Sequence, residues 1–362
     1  MQAGVFNFVL FLVLATIQAT AQAGRRRGFN VWENLGEYLK LWHWPRAMKF
    51  VASGTDVFNA QRVLSDKKAE LIKCSASDGL SLLPVISVYI ITCIMQSDLE
   101  GCKAACKVLI ALCDVIELLQ ATALNIVTPE QLRSAVKSLI VHCIAAGWEE
   151  HMVPKFPWML HYAKHLARWG VLPTCWVHER KHKALKRFAT DIHNSLSYSK
   201  SVLSEMVCHQ LWEMKQENAF GLPGLVEPRN APRTICEFIN ATLGISDERV
   251  LTSSQAIVPS GARCSASDVV IIKSEDGVNY VAGQVRCFVS VASAGSLALV
   301  DMWLLDRTEP DSGCVIWNTA ASNPTLLDLA FILAPCIRTN VGGAQARTII
   351  PYQFRGLQAQ AA

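Results

Sequence analysis

Residues 269–289 read VVIIKSEDGVNYVAGQVRCFV, and this stretch decides the fold of the C-terminal part of the chain. Two runs rich in Val, Ile and aromatic residues flank Asp276-Gly277, a dipeptide that is typical of hairpin turns. A third run of the same kind, residues 296–304, follows Ala294-Gly295. The pattern therefore predicts antiparallel strands that follow one another along the chain.

Further β-type runs extend this pattern toward the C-terminus, at residues 315–318, 331–337 and 348–354. Together the runs predict a small β domain over residues 249–356, roughly 100 residues and an ordinary size for one compact domain. The spacing of the runs is compatible with a β-barrel and with a β-sandwich.

Upstream of residue 219 the apolar periodicity is helical. Thr128-Pro129-Glu130-Gln131 is typical of a helix start, with an N-cap, a proline at the first helical position and an acid in the first turn. Similar patterns predict helices over 98–119 and 190–214. We therefore predict an α+β protein: a mainly helical domain over 56–218, a linker rich in Gly and Pro over 219–248, and then the β domain.

The composition excludes several classes of protein. The chain has 362 residues, of which 51% are hydrophobic and 18% charged, and this excludes a disordered or collagen-like chain. The net charge is only +4, so any nucleic-acid binding has to come from a local concentration of charge.

The thirteen cysteines do not form a disulfide framework or an obvious metal site. Their number is odd, they are spread through the chain, and there is no C-x-x-C. Cys93, Cys102, Cys106 and Cys113 lie among apolar residues, so we expect buried free thiols. Cys102 and Cys106 share a helix face, but two further ligands for a metal are not close in sequence.

The N-terminus allows two interpretations. Residues 1–23 have an apolar centre and a small-x-small pattern ending at Ala23, as in a cleaved secretory signal. Three arginines follow almost immediately, at 25–27, and positive charge directly after the apolar centre resists translocation of the chain. The alternative is a spurious exon or the start of a truncated gene. A working signal would make Asn240-Ala241-Thr242 a glycosylation site.

The remaining N-terminal residues, 24–55, form a basic lead-in that is rich in Trp. No later run reaches the roughly 18 uncharged apolar residues that span a bilayer, so we predict no membrane-spanning core.

The segment from 155 to 187 concentrates the positive charge of the chain. It holds eight Lys and Arg residues against one acid, Glu179, which gives a net charge of +7. Trp158, Trp169 and Trp176 are interleaved with these charges, a pattern typical of contact with nucleic-acid phosphates. A solvated helix face with Trp packed beneath it would have the same pattern. The predicted contact residues are Lys155, Lys164, Arg168, Arg180, Lys181, Lys183, Lys186 and Arg187.

His178, Glu179 and His182 match the pattern H-E-x-x-H. On a helix the two histidines share a face and could bind zinc, with Glu179 as general base. Two positive residues lie between the ligands and oppose a dication. Glu205, 23 residues after His182, is a candidate third ligand by its spacing, but nothing else in the sequence supports it. We therefore expect no cofactor and keep a zinc-dependent hydrolase as an alternative.

The stretch 152–187 contains an ordered motif that begins with Pro154 and Lys155, continues through Gly170 and Leu172, and ends with Glu179, His182 and Lys186. This motif resembles the C-terminal region of CACTA-type and related transposases, as expanded in dinoflagellate-like protist genomes. A β domain with Asp-Val-Val and Ala-Gly-Gln-Val follows in such proteins, as at 268–270 and 282–285 here. Pro157, Ala163 and Val171 depart from the family pattern. The matching positions are Pro154, Lys155, His161, Gly170, Leu172, Trp176, Glu179, Lys181, His182 and Lys186.

The resemblance implies a cut-and-paste transposase whose ribonuclease-H-like core holds two metal ions on three acidic residues. Glu179 could be the last of such a set, and the others should lie upstream on strands. The aspartates upstream are all in helical or loop context. We therefore predict a transposon-derived remnant that binds nucleic acid in the nucleus without nuclease activity. A secreted or lumenal interaction protein stays a further alternative.

Overall fold

The structure, a computed structural model, describes residues 2–48, 57–152, 154–172, 189–190, 197–215, 222–245, 248–274 and 280–355. Helices dominate the N-terminal part and strands the C-terminal part, so the predicted α+β class is confirmed. The α-helices among the described residues are α1 Gln2–Ala23, α2 Val31–Lys40, α3 Ala60–Ala69, α4 Ala76–Tyr89, α5 Lys103–Ala121, α6 Pro129–Ala145, α7 Lys155–Trp169, α8 Tyr198–Met214 and α9 Arg233–Leu243.

Twelve strands are described, and all of their pairings are antiparallel. They are β1 Trp42–His43, β2 Gly224–Leu225, β3 Arg229–Asn230, β4 Val250–Ser253, β5 Gln255–Ile257, β6 Arg263–Ser265, β7 Val269–Lys273, β8 Tyr280–Val291, β9 Gly295–Glu309, β10 Cys314–Asp328, β11 Ile332–Gly342 and β12 Gln345–Ile349.

The main sheet has nine strands, and six of them pair in a ring. From β7 the pairings run through β8, β9, β10, β12 and β11, and β11 pairs with β7 again. As the sequence predicts, the runs on either side of Asp276-Gly277 form neighbouring antiparallel strands, with Lys273 opposite Tyr280. The turn residues themselves lie outside the described residues. Strands β2, β5 and β6 form a separate small sheet.

The first helix, α1, is part of the helical core. The side chains of Val9, Val13, Leu14 and Ile17 are completely buried, and α1 packs against α2, α4 and α5. Among the described residues, only the stretch Val5–Ala23 of α1 is long and apolar enough to cross a membrane. Of its most apolar 18 residues, 56% are buried inside the protein. Burial of this kind is typical of a core helix.

The start of α6 is as predicted. The side chain of Thr128 accepts a hydrogen bond from the backbone N–H of Gln131 (3.2 Å), and the Gln131 side chain accepts one from the N–H of Thr128 (2.8 Å). This reciprocal capping box satisfies two N–H groups that have no partner within the helix.

Helix α5 begins later than the sequence predicts, at Lys103 instead of residue 98. Residues Glu100–Cys102 form a single 3₁₀ turn, because this segment contacts α1. A Cβ on Gly101 would lie 3.1 Å from the Thr20 side chain, and Arg26 forms an ion pair with Asp98. Contacts with a distant part of the chain thus set this boundary.

The basic lead-in joins the helical part to the β domain. Strand β1 pairs with β11, with Trp42 opposite Thr339, and the Thr339 hydroxyl donates to the Leu41 carbonyl over 2.7 Å. The backbone N–H of Arg46 donates to a carboxylate oxygen of Asp268 over 2.9 Å. These contacts hold residues 41–46 against the sheet.

The C-terminal end of the described chain contacts the helices. Strand β12 ends at Ile349, earlier than the predicted 354, because Pro351 has no backbone N–H to continue the ladder. Residues 352–355 form one helical turn, in which Tyr352 is buried in the helical core. Arg355 forms an ion pair with Glu117 of α5, with 2.8 Å between Nη1 and Oε2.

Regular structure is also present where the sequence predicts a linker. Helix α9 packs on the sheet through Ile239, which is completely buried among Val250, Val289 and Val291. The short strands β2 and β3 precede it and pair with β5 and β4.

Candidate nucleic-acid interface

Helix α7 carries the described part of the basic segment. Its buried side chains, Phe156, Met159, Ala163 and Leu166, follow one another at intervals of three and four residues and so form a single face. That face joins the helical core, where α7 packs against α6. The helix ends at Gly170, whose left-handed backbone (φ +69°) closes the last turn.

The charged side chains of α7 point to solvent. Lys155, Lys164 and Arg168 are all exposed. No acidic residue occurs between 152 and 172, so this surface has three positive charges without a negative one on the same helix. The structure therefore brings together three of the eight predicted contact residues on one element.

Two large aromatic side chains are exposed beside these charges. Trp158 is 61% exposed and Trp169 is 50% exposed. The ring of His165 stacks on Trp169, with 4.7 Å between centroids and an interplanar angle of 11°. The Arg168 guanidinium lies 5.9 Å from the centroid of the same indole. The exposed rings, the stacked histidine and the nearby guanidinium make this part of α7 the candidate contact site. We call Lys155, Trp158, Lys164, His165, Arg168 and Trp169 the α7 face.

The other five predicted contact residues lie outside the described residues. They are Arg180, Lys181, Lys183, Lys186 and Arg187, and Trp176 lies outside as well.

The predicted zinc site lies outside the described residues too, with His178, Glu179 and His182. Glu205, the candidate third ligand, is exposed on α8. Within the described ranges, no group of three or more His, Cys, Asp and Glu side chains is positioned to hold a metal ion. The zinc alternative therefore stays a prediction from sequence.

Two of the described aspartates upstream of α7, Asp66 and Asp78, have structural partners within the fold. Asp66 is buried in α3 and accepts the backbone N–H of Lys73 over 3.1 Å, while burial raises its pKa. Asp78 interacts with the N-cap Ser75 at the start of α4. Asp114 lies in α5 and is exposed. These three carboxylates lie on three helices, as the sequence predicts.

All cysteines among the described residues are free thiols. Cys102, Cys106 and Cys113 are buried as expected, and burial raises the pKa of Cys113 to about 12. The expectation is wrong for Cys93, which is exposed in the π-helical turn Ile90–Ile94 after α4. A buried thiol whose pKa is raised is a poor nucleophile, and this argues against thiol catalysis at Cys113.

The secretory alternative depends on two positions, cleavage after Ala23 and glycosylation of Asn240. Ala23 is the last residue of α1, so cleavage after it would remove a helix whose side chains fill the core. Asn240 lies within α9, and its side-chain carbonyl oxygen is buried without a hydrogen-bond partner. Glycosylated asparagines lie on accessible surface loops, so neither placement favours the secretory alternative.

Two open cavities in the β domain were not predicted from the sequence. One, of about 370 Å³, has Arg229 and Arg286 in its wall together with Ser254 and Gln255. Arg286 is already paired with Asp301 at 2.8 Å. These residues come from strands that are far apart in sequence, so no local motif could have predicted the cavity. The other, of about 280 Å³, is lined largely by apolar side chains and by Arg355.

A comparison with known protein families, with curated proteins and with solved structures finds no match to this chain. The resemblance to transposon-derived proteins therefore rests on the residues of the segment 152–187 and of the two β-domain motifs.

Proposed function

We propose that this protein is a transposon-derived DNA-binding protein that makes contact through the α7 face and the basic segment that follows it in sequence. Its role is to bind DNA without cutting it. The observation that carries the proposal is the α7 face: three exposed cations and two exposed tryptophans on one helix, with no acid among them.

Charge and chemistry both support a polyanionic partner. A protein surface that neutralises phosphates needs Lys or Arg that are free to meet them. The charge of the whole chain is only +4, yet the segment 155–187 has a net charge of +7, so the attraction is confined to one region. Tryptophan beside such cations suits nucleic acid better than it suits inorganic phosphate, because bases offer flat rings for stacking.

The upstream acids support a non-cutting role. Two-metal cleavage of DNA needs several carboxylates that converge on ions about 4 Å apart. Asp66, Asp78 and Asp114 lie on three different helices, and Asp66 and Asp78 are held by contacts within the fold. An active-site set made from them would require those contacts to break.

The test is a DNA-binding measurement on the full chain. In one variant, Lys155, Lys164 and Arg168 are each replaced by Gln. A matched control replaces three other exposed cations, Arg62, Lys68 and Arg263, and so changes the net charge by the same amount. We expect the α7 variant to bind at least about tenfold more weakly at moderate salt, while the control variant stays close to the wild type.

A second variant addresses the segment beyond α7. Replacing Arg180, Lys181, Lys183, Lys186 and Arg187 by Gln should reduce the affinity further. Equal losses in the α7 variant and its control would mean that binding depends on net charge alone. Absence of any DNA binding by the wild type would reject the proposal.

A further inference from the structure

We propose that the α7 face binds single-stranded DNA in preference to duplex DNA, by stacking unpaired bases on Trp158 and Trp169. This inference rests on the proposed function and specifies the form of DNA that the site takes.

The two tryptophans share one side of the helix. They are eleven residues apart, which is close to three full helical turns, so their Cα atoms are about 16.5 Å apart along the axis. His165 lies between them on the same side, and its ring is already stacked on Trp169. The result is a row of flat rings along one exposed edge of α7.

The rings are available for contact, and one of them is fixed in orientation. Trp158 is 61% exposed and Trp169 is 50% exposed, so at least half of each side chain is open to a ligand. The parallel contact with His165 holds the indole of Trp169, and a base that stacks here would extend an existing pair. A preorganised ring loses less conformational entropy on binding than a free one.

Three cations lie on the same helix as the two tryptophans. Lys155 precedes Trp158 by three residues, Lys164 lies between the two tryptophans in sequence, and Arg168 is adjacent to Trp169. All three are exposed. Proteins that hold an unpaired strand combine cations, which contact the phosphates, with aromatic rings, on which the bases stack, and α7 carries both kinds of side chain.

A duplex suits this face less well. In duplex DNA the faces of the bases are covered by neighbouring pairs, and only their edges are accessible in the grooves. Helices that read those edges do so with side chains such as Arg, Asn and Gln. The α7 face instead carries exposed tryptophans, on which an unpaired base can stack. Because the proposed partner is DNA, we assign single-stranded DNA and treat RNA as an outcome of the test.

The experiment compares a short single-stranded oligonucleotide with the duplex of the same sequence, using the full chain. Binding is followed by fluorescence anisotropy of the labelled DNA and by quenching of Trp fluorescence. The variant replaces Trp158 and Trp169 by Ala. The matched control replaces Trp212 by Ala, because Trp212 is also 61% exposed but lies on α8.

We expect the wild type to bind the single strand more tightly than the duplex. The double variant should lose about tenfold or more of its single-strand affinity, while its duplex affinity changes by less than about twofold. The control should behave as the wild type. Replacing both residues by Phe, which keeps a ring for stacking, should restore most of the affinity. Circular dichroism of each variant checks that the fold is retained.

Two results separate this inference from the proposed function. Salt-dependent binding of both DNA forms with equal affinity, unaffected by the loss of Trp158 and Trp169, would overturn the inference and leave DNA binding intact. Binding of neither form would overturn both. Tighter binding of an RNA strand of the same sequence would overturn the assignment to DNA.

Discussion

Gly283 shows how a single residue position is fixed by its surroundings. It belongs to the Ala-Gly-Gln-Val motif and lies in β8 opposite Met302. A Cβ at this position would lie 2.8 Å from the backbone carbonyl oxygen of Asp301 and would also overlap the side chain of Val300. Close approach of two backbones therefore requires glycine here.

We predict that Gly283→Ala lowers the free energy of unfolding by about 1–3 kcal/mol, because the neighbouring strand has to move. The matched control is Gly36→Ala in α2, where a new Cβ would make an ordinary contact at 3.6 Å with Phe58. That substitution should stabilise the protein by about 0.5–1 kcal/mol, because Ala favours helix over Gly. Urea unfolding followed by circular dichroism measures both. Equal effects of the two substitutions would contradict the explanation.

Asp268 connects the lead-in to the β domain, and it belongs to the Asp-Val-Val motif. One carboxylate oxygen accepts the N–H of Arg46 and the other accepts the N–H of Ser265 over 2.7 Å. Burial raises the pKa of this carboxyl above its ordinary value, although the two hydrogen bonds act against that change.

The raised pKa sets the sign of a pH effect. The folded protein holds the Asp268 proton more tightly than the unfolded chain does. Protonation of Asp268 therefore stabilises the folded protein fully at pH values below the ordinary Asp pKa. This stabilisation is lost as the pH rises through the pKa that Asp268 has in the folded protein.

We predict that Asp268→Ala costs about 1–3 kcal/mol of unfolding free energy, because two N–H groups lose their acceptor. The cost should be larger at about pH 4 than at about pH 7. Asp268→Asn keeps one acceptor and cannot titrate, so its cost should vary less with pH. Urea unfolding at both pH values measures this, and a cost of Asp268→Ala that grows toward neutral pH would contradict the sign.

At the scale of elements, α1 distinguishes a core helix from a removable leader. Leu14 is completely buried, whereas Leu12 on the same helix is half-buried. We predict that Leu14→Ala lowers the free energy of unfolding by about 2–5 kcal/mol and that Leu12→Ala costs clearly less. Chemical unfolding of the two variants provides the measurement. If both substitutions were neutral, α1 would not contribute to the core, and the signal-peptide interpretation would gain support.

The sequence predicted elements well where the determinants are local. The start of α6 depends on Thr128 and Gln131, which are three residues apart, and both the cap and the helix were predictable. The strands β7 and β8 were likewise predictable from their own Val and Ile content. The start of α5 was not, because it depends on contact with Thr20 in α1, some 80 residues away by the numbering.

The same distinction applies to the candidate site. The three cations and two tryptophans of α7 are all visible in the sequence, and helical periodicity already separates them from the buried Phe156 and Met159. The stacking of His165 on Trp169 is a matter of side-chain geometry that spacing alone does not specify. The cavity with Arg229 and Arg286 could not be predicted, because distant strands form it.

At the scale of the whole molecule, the helical part and the β domain are joined by direct contacts. Strand β1 pairs with β11 across 297 positions of sequence, from Trp42 to Thr339. Cys314, Ile337 and Ile349 of the sheet belong to the same apolar cluster as the helices. A strand of two residues that pairs with such a distant partner has no recognisable local sequence pattern. For this reason the sequence predicted only a basic lead-in at residues 24–55 and not strand β1.

The central claim is that the cations of the α7 face meet DNA phosphates, and the salt dependence of binding tests it most directly. The logarithm of the binding constant falls linearly with the logarithm of the salt concentration, with a slope of about −0.7 per phosphate contact for single strands and about −0.9 for duplexes. We predict that replacing Lys155, Lys164 and Arg168 by Gln makes the slope about 2–3 units shallower. The Arg62, Lys68 and Arg263 control should leave the slope unchanged, and an unchanged slope in the α7 variant would contradict the account.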